Sequence, residues 1–595
     1  MTACRASWLV GVSLAFLAGA AAHAQDAPAQ PPSSATDAPQ SLTGNDASPP
    51  PATEAAPVEF KPGILGQDAR SGVTANDLGI VDGAPVGTLD DSSGGLGQSM
   101  WANAPRADVE ELLGRIPLVS ADPFVHGLAR RVVLTTSEAP VGPAKRALIT
   151  IRIEKLLQAG VLADAGAIAA AVSLNGDADF ARVQADALLY AGRDKDVCSD
   201  LTAMRLTTAE PFWLQLRTWC FAASGDTASA ELARAVLDAQ GASDTSFDIL
   251  TDDVTTARKT PAGDIAHPTA LHIFLLRKAG LPVTAAIAAK LGTAAAVMAA
   301  RDGRNSPADR LAAATRISQT GALKPAEIVA ILNAQSISAD QVAHASDATA
   351  RLPFLPAQSL LRRAARLETR PAEKVALLVA ALTAGNHPDR LTLTALLHGD
   401  LAGAIAPNAS WTVERRIIAR ALVLSGRYDA AEAWYAGAPD DGDAHLFRIM
   451  LDLAAPSASR DAAAQAALSA FAASSAPQQA PSELASLALG LSDALGRPMP
   501  PEAKALAVTL EGTRRTAANR RPSDDDLRKL EDAASQPGRR GEVAMRILDI
   551  VGANGPFGLP ADVTIECVRI LQQVGLSEDA RALAIEALAL QPAQQ

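Results

Sequence analysis

Eight histidines, four cysteines and 65 carboxylates are the groups with which this 595-residue chain could do chemistry. Their spacing fits few of the familiar kinds. His267 and His272 are the closest histidine pair, five residues apart and off a shared helix face. No HExxH segment and no cysteine pair at zinc spacing occurs, so no zinc centre is expected. A G-x-S-x-G elbow, a Walker A loop and an S-x-x-K motif are all missing from the sequence. The glycines Gly94, Gly95 and Gly97 lack the third position of a dinucleotide fingerprint, and Asp82, Asp90 and Asp91 do not match a calcium-loop spacing. The expectation is a chain with no catalytic, cofactor-binding or metal-binding residues.

Two constellations are left. Cys198 and Cys220 are 22 residues apart and could close a disulfide worth about 3 kcal/mol in an oxidising compartment, with two buried thiols as the alternative. Cys567 has no mate and sits in an apolar helical pattern. Arg362, Arg363, Arg366 and Arg370 form a basic helix stripe that could meet an anionic cell-wall group, although such stripes are more often solvated faces paired with acids. Arg362, Arg366 and Tyr435 are the residues assigned to a binding surface. Phe212, Trp213 and Trp219 read as core.

The elements that would position these residues follow from the rest of the chain. Residues 1–24 carry one arginine, an apolar run from Trp8 to Ala22 and an A-x-A site, which is the layout of a cleaved secretory signal peptide. No cysteine follows the run, so a lipoprotein anchor is not expected, nor is a membrane span after cleavage. Residues 25–62, rich in proline, alanine and serine, cannot bury enough apolar surface to order themselves and read as a disordered tether. A Gly/Asp-rich extended arm is expected over 63–104, anchored on the body by Trp101. Net charge is −12, with no long basic stretch, which leaves no electrostatic drive toward nucleic acid or anionic lipid.

From residue 105 onward, apolar residues recur at spacings of three and four and stop at glycines. The sequence predicts three helical arrays, over 105–300, 301–480 and 481–595. Roughly a fifth of the residues are alanine and only 4% are aromatic, which suits closely packed helices. In VLSGRYDAAEAWYAG (423–437) a glycine interrupts good helix formers. The same break recurs at Gly160, Gly192, Gly225, Gly280 and Gly575, the first three separated by 32 and 33 residues. Each is expected to end one helix in a left-handed cap and let an antiparallel one begin.

That period and those neighbours resemble the tetratricopeptide repeat. Unit 412–445 matches at Ile418, Ala419, Gly426, Tyr428, Ala431, Tyr435 and Ala438, and unit 561–594 at Leu571, Gly575, Ala580, Ala587 and Pro592. The first helix lacks the usual early tryptophan, and unit 412–445 lacks the closing proline. The resemblance implies an all-α solenoid of stacked helical hairpins whose curved face grips other proteins. The glycine-rich arm followed by MWANAPRADVEELLGRIP is also similar to uncharacterised secreted Ala/Pro-rich bacterial proteins.

The reading is an exported, periplasmic scaffold or adaptor that binds protein partners in the cell envelope. The alternative is a peptidoglycan- or polysaccharide-processing enzyme with an α-superhelical body, as in soluble lytic transglycosylases. Those enzymes use a glutamic acid in a Glu-Ser motif, and this chain contains no Glu-Ser dipeptide.

Overall fold

Helix starts and stops are written locally and repeatedly along the chain. Asp122 caps the helix Pro123–Leu134 by accepting from the Val125 N–H, with proline at the first turn where no N–H is needed. Ser306 does the same before Pro307–Arg316, and Ser523 forms a reciprocal capping box with Asp526. At the other end, Gly160, Gly192, Gly225, Gly280, Gly426 and Gly575 all adopt φ between +73° and +83°. In each turn the next residue's N–H reaches back to a carbonyl of the last helical turn, as Arg427 does to Leu422 and Leu576 to Leu571.

The computed structural model describes residues 85–172, 178–204, 210–260, 265–384, 390–438, 440–474, 483–511 and 520–591. The signal peptide, the tether, the arm before residue 85 and Pro592 lie outside them. Among the described residues there are 29 α-helices and two short 3-10 helices, with no β-strand. Two isolated bridges, Leu89 to Thr135 and Pro105 to Val141, tie the arm to the body. The protein is therefore all-α. No described helix is long and apolar enough to cross a membrane.

Helices adjacent in sequence pack as pairs. Pro211–Ser224 lies on Thr227–Ala239, Gly442–Ala454 on Ala458–Ser474, and Ala561–Gln573 on Ser577–Ala589. The described residues belong to one compact unit, and one apolar core runs from Leu96 to Ala589. Alanine supplies much of it, because small side chains let helix axes approach.

A simple run of neighbours does not account for all the packing. Arg540–Val551 lies against Arg106–Arg115 and Pro123–Leu134, and Ser577–Ala589 lies against Gly442–Ala454. Both ends of the array are stitched together by polar contacts. Asp579 accepts two bonds from Arg131 at 2.7 and 2.9 Å, Asp108 pairs with Arg546, and Asp549 pairs with Arg115. The arm joins the same seam: Gly541 N–H donates to Met100 O, and Asn103 donates to Pro537 O.

Trp101 is fully buried, and its indole N–H donates to Glu138 O at 2.7 Å. Beneath the arm, the fully buried Arg152 donates to the carbonyls of Val86, Val133 and Thr135. A guanidinium suits this position because its donors are fixed in a plane and spread over several acceptors.

The hinge glycines differ in their surroundings. A Cβ added at Gly426 would meet nothing within 4 Å, whereas one at Gly160 would meet Val297 Cγ2 at 2.6 Å and Ala322 Cβ at 3.0 Å. Gly426→Ala should therefore cost only the left-handed backbone penalty, about 1–2 kcal/mol. Gly160→Ala should cost about 3 kcal/mol or more, because steric conflict adds to it. Urea unfolding of the two variants checks this, and equal losses would show that the tight approach at residue 160 adds nothing.

Candidate functional site

Of the three residues assigned to a binding surface, Arg362 lies inside the protein at 4% exposure. Its guanidinium grips both oxygens of Asp400, at 2.8 and 2.6 Å, and the carbonyl of Leu397. Arg362 thus links Phe354–Leu367 to Leu391–Gly403 and is not available to a ligand. Arg366 is exposed and donates to Asn333 Oδ1 at 3.1 Å. Tyr435 stacks face to face on Phe447 with ring centres 4.0 Å apart, half-buried beside Arg415. Burial raises its phenol pKa above the usual value.

Arg370, the last of the stripe, is occupied by Glu368 and Glu373. Cys198 and Cys220 are joined in a disulfide with Cα atoms 5.5 Å apart, and Cys567 is a buried free thiol. Phe212, Trp213 and Trp219 are core residues, each 5% exposed or less.

Two surface clefts lie among the described residues. One, of 690 Å³, lies between the arm and the C-terminal helices and is lined by Asp90, Asp91, Gln98, Glu138 and Arg540. Asp90 is held down to about 2 by the hydroxyls of Ser92 and Ser93 and the Ser93 N–H. It is a helix cap. The other cleft, of 490 Å³, is walled by Arg146, Glu154, Arg182 and Glu210. There Arg146 pairs with Glu154 and Arg182 with Glu210, and the Arg182 guanidinium lies 3.7 Å from the Phe212 ring centre. Among the described residues, no group of three or more His, Cys, Asp or Glu side chains could hold a metal ion.

The chemically unusual groups are buried at a junction between three distant parts of the chain. Asp122 at the start of Pro123–Leu134 and Glu586 on Ser577–Ala589 share a hydrogen bond, each about 5% exposed. Thr392 on Leu391–Gly403 donates to Glu586 Oε1 at 2.6 Å. Gly555 packs so closely on Asp122 that a Cβ there would overlap the carboxylate. Burial raises the pKa of both acids, and the negative charge of Asp122 pushes Glu586 further, well above the carboxylate range. Two carboxyls sharing one proton satisfy this geometry.

A second polar knot lies nearby on Leu391–Gly403. His398 Nε2 and Gln358 Oε1 are 2.6 Å apart, and Gln358 donates to Ala381 O. Burial, with the adjacent Arg362 charge, pushes the histidine down to about 3, so it is neutral.

The sequence motifs did not reveal the acid pair. Asp122 caps the helix that starts at Pro123, and its partner lies in the last helix. The available signal was Glu586 itself, one carboxylate within the apolar run LAIEALAL. A lone charge on a buried face demands a partner or a proton.

The pair has a definite effect on stability. Folded, it holds a proton that an unfolded chain releases above about pH 4. Unfolding therefore releases protons, and stability falls as pH rises from about 4 toward the raised value. Glu586→Gln supplies an amide that needs no proton, so its melting temperature should match or exceed that of the parent at about pH 8 and vary less with pH. Thermal melts between about pH 4 and 8 test this, and a profile parallel to the parent's would exclude the pair as the source.

No protein-family model, curated protein or solved structure matches the chain, so its function has to be argued from its own residues.

Proposed function

We propose that the protein is an exported, periplasmic α-solenoid of tetratricopeptide-like hairpins that acts as a scaffold or adaptor for other cell-envelope proteins. The observation that carries this reading is the repeated unit itself: antiparallel helix pairs, turned by left-handed glycines and packed on their sequence neighbours. Arrays of this kind offer long surfaces assembled from successive helices, and protein binding is their usual employment. Secretion rests on the N-terminal sequence, and the Cys198–Cys220 pairing is compatible with an oxidising compartment. The acidic balance of the chain supports a protein partner over nucleic acid or anionic lipid.

The glycan-processing alternative calls for a protonated carboxylic acid at the wall of a cleft. Asp122 and Glu586 hold a proton but line neither cleft, while Glu154 and Glu210 line a cleft and are neutralised by arginines. No observation favours that reading.

In-cell crosslinking of the tagged, exported chain, followed by mass spectrometry, is the test. The expected result is recovery of one or a few envelope proteins. If none is recovered and the purified chain instead binds or cuts cell-wall fragments, the adaptor reading fails.

A further inference from the structure

The helix Thr227–Ala239 is apolar on two sides. Ala230 and Leu237 face the core and pack on Pro211–Ser224. Ala228, Leu232, Ala235, Val236 and Ala239 recur at spacings that place them on the opposite side, and all five are exposed, Leu232 at 68% and Val236 at 37%. A helix that merely covers the core would carry polar residues there. This one turns a second apolar stripe to the outside, about 18 Å long at 1.5 Å per residue.

The charges beside the stripe are nearly all of one sign. From Asp226 to Asp253 the sequence has seven carboxylates against one arginine, a net charge of −6. Asp226, Asp244 and Asp253 are occupied by their own backbone or neighbouring hydroxyls. Arg234 is shared between Asp248 and Asp252, at 3.2 and 2.9 Å. Glu231 and Asp238 flank the stripe and are exposed. Asp248 is crowded by Asp238, Asp252 and Asp244, and burial together with these neighbours raises its pKa. The next bases, Arg258 and Lys259, follow the end of Thr245–Thr256.

We infer that the outer face of Thr227–Ala239 is a docking surface for a basic amphipathic helix of another protein. Leu232 and Val236 take its apolar side, and Glu231 and Asp238, exposed at the edge of the stripe, take its lysines or arginines. The charge pattern selects this occupant. A second copy of the chain would bring −6 against −6, and an anionic membrane would be repelled by the same carboxylates. Helix-on-helix docking through residues at i and i+4 is an established way to read an amphipathic partner. This inference rests on the adaptor reading and gives it a place and a partner class.

The test uses the full chain and an 18-residue helical peptide of leucine and lysine, with leucines at i, i+3, i+4 and i+7, against a scrambled peptide of the same composition. Fluorescence anisotropy should show the ordered peptide binding at least about tenfold more tightly than the scramble. Leu232→Ser with Val236→Ser should weaken it by at least about tenfold, and Glu231→Lys with Asp238→Lys by a similar factor. Raising salt from about 50 to 300 mM should weaken binding to the parent chain.

Both substituted pairs are exposed, so folding should persist, and the charge pair keeps the test open if the serine pair fails to fold. Equal binding of the scramble, or parent-like affinity in both paired variants, overturns the inference. So does sedimentation showing a dimer that the serine pair abolishes. Envelope crosslinks without peptide binding sink the surface and leave the adaptor reading. Peptide binding without crosslinked protein does the reverse.

Discussion

Asp122 and Glu586 come from opposite ends of the helical chain, and they can lie side by side away from water only while one of them keeps a proton. Around that contact the first helices, Leu391–Gly403 and the final hairpin meet. The Arg131–Asp579 pair beside it spans 448 residues. Closing so long a loop costs little more entropy than closing one half its length, because the cost grows only with the logarithm of length. What the closure needs is a junction that excludes water on all sides, and apolar helices supply it. The acid pair is the polar remainder inside that junction, satisfied by Thr392 and by sharing. Without the closure, Arg540–Val551 would lose its partners on Arg106–Arg115 and Pro123–Leu134, and the arm would lose the Gly541 and Asn103 contacts.

Arginine does much of the internal joining in a chain with few aromatic residues. Arg152 binds carbonyls under the arm, Arg362 crosses between helices to Asp400 and Leu397, and Arg520 reaches the carbonyls of Val551, Gly555 and Phe557. Alanine side chains pack closely but have no donor to offer a backbone carbonyl. A planar group with five donors at the end of a long apolar stem reaches such carbonyls, which a lysine would do less well.

The features legible in the sequence were the local ones. Helix periodicity and the six hinge glycines depend on residues a few positions apart, so a single chain displays them directly. The basic stripe misled at Arg362 because helix periodicity gives a face but not its neighbours. Asp400, 38 residues on, turns a solvated cation into an internal tie. The acid pair and the fold-back of the last helices were hidden for the same reason on a larger scale, since contacts over 400 residues leave no spacing to read. The outer stripe on Thr227–Ala239 sits between these cases. Its alanines, Leu232 and Val236 stand in plain view, but only the packing shows that a different face of the helix is the one buried.

Cys567 takes on a further meaning in this setting. It is the odd thiol in a chain whose other two described cysteines are joined, and burial pushes its pKa up to about 12. While the helix Ala561–Gln573 stays packed, almost no thiolate forms and nothing can reach it, so the disulfide is protected from exchange without a third party. Full unfolding removes both protections at once. The liberated thiol returns to ordinary acidity in the same chain as an exposed disulfide, which it can then attack. The burial of one sulfur atom therefore shields a bond more than 300 residues away in sequence from the chain's own chemistry.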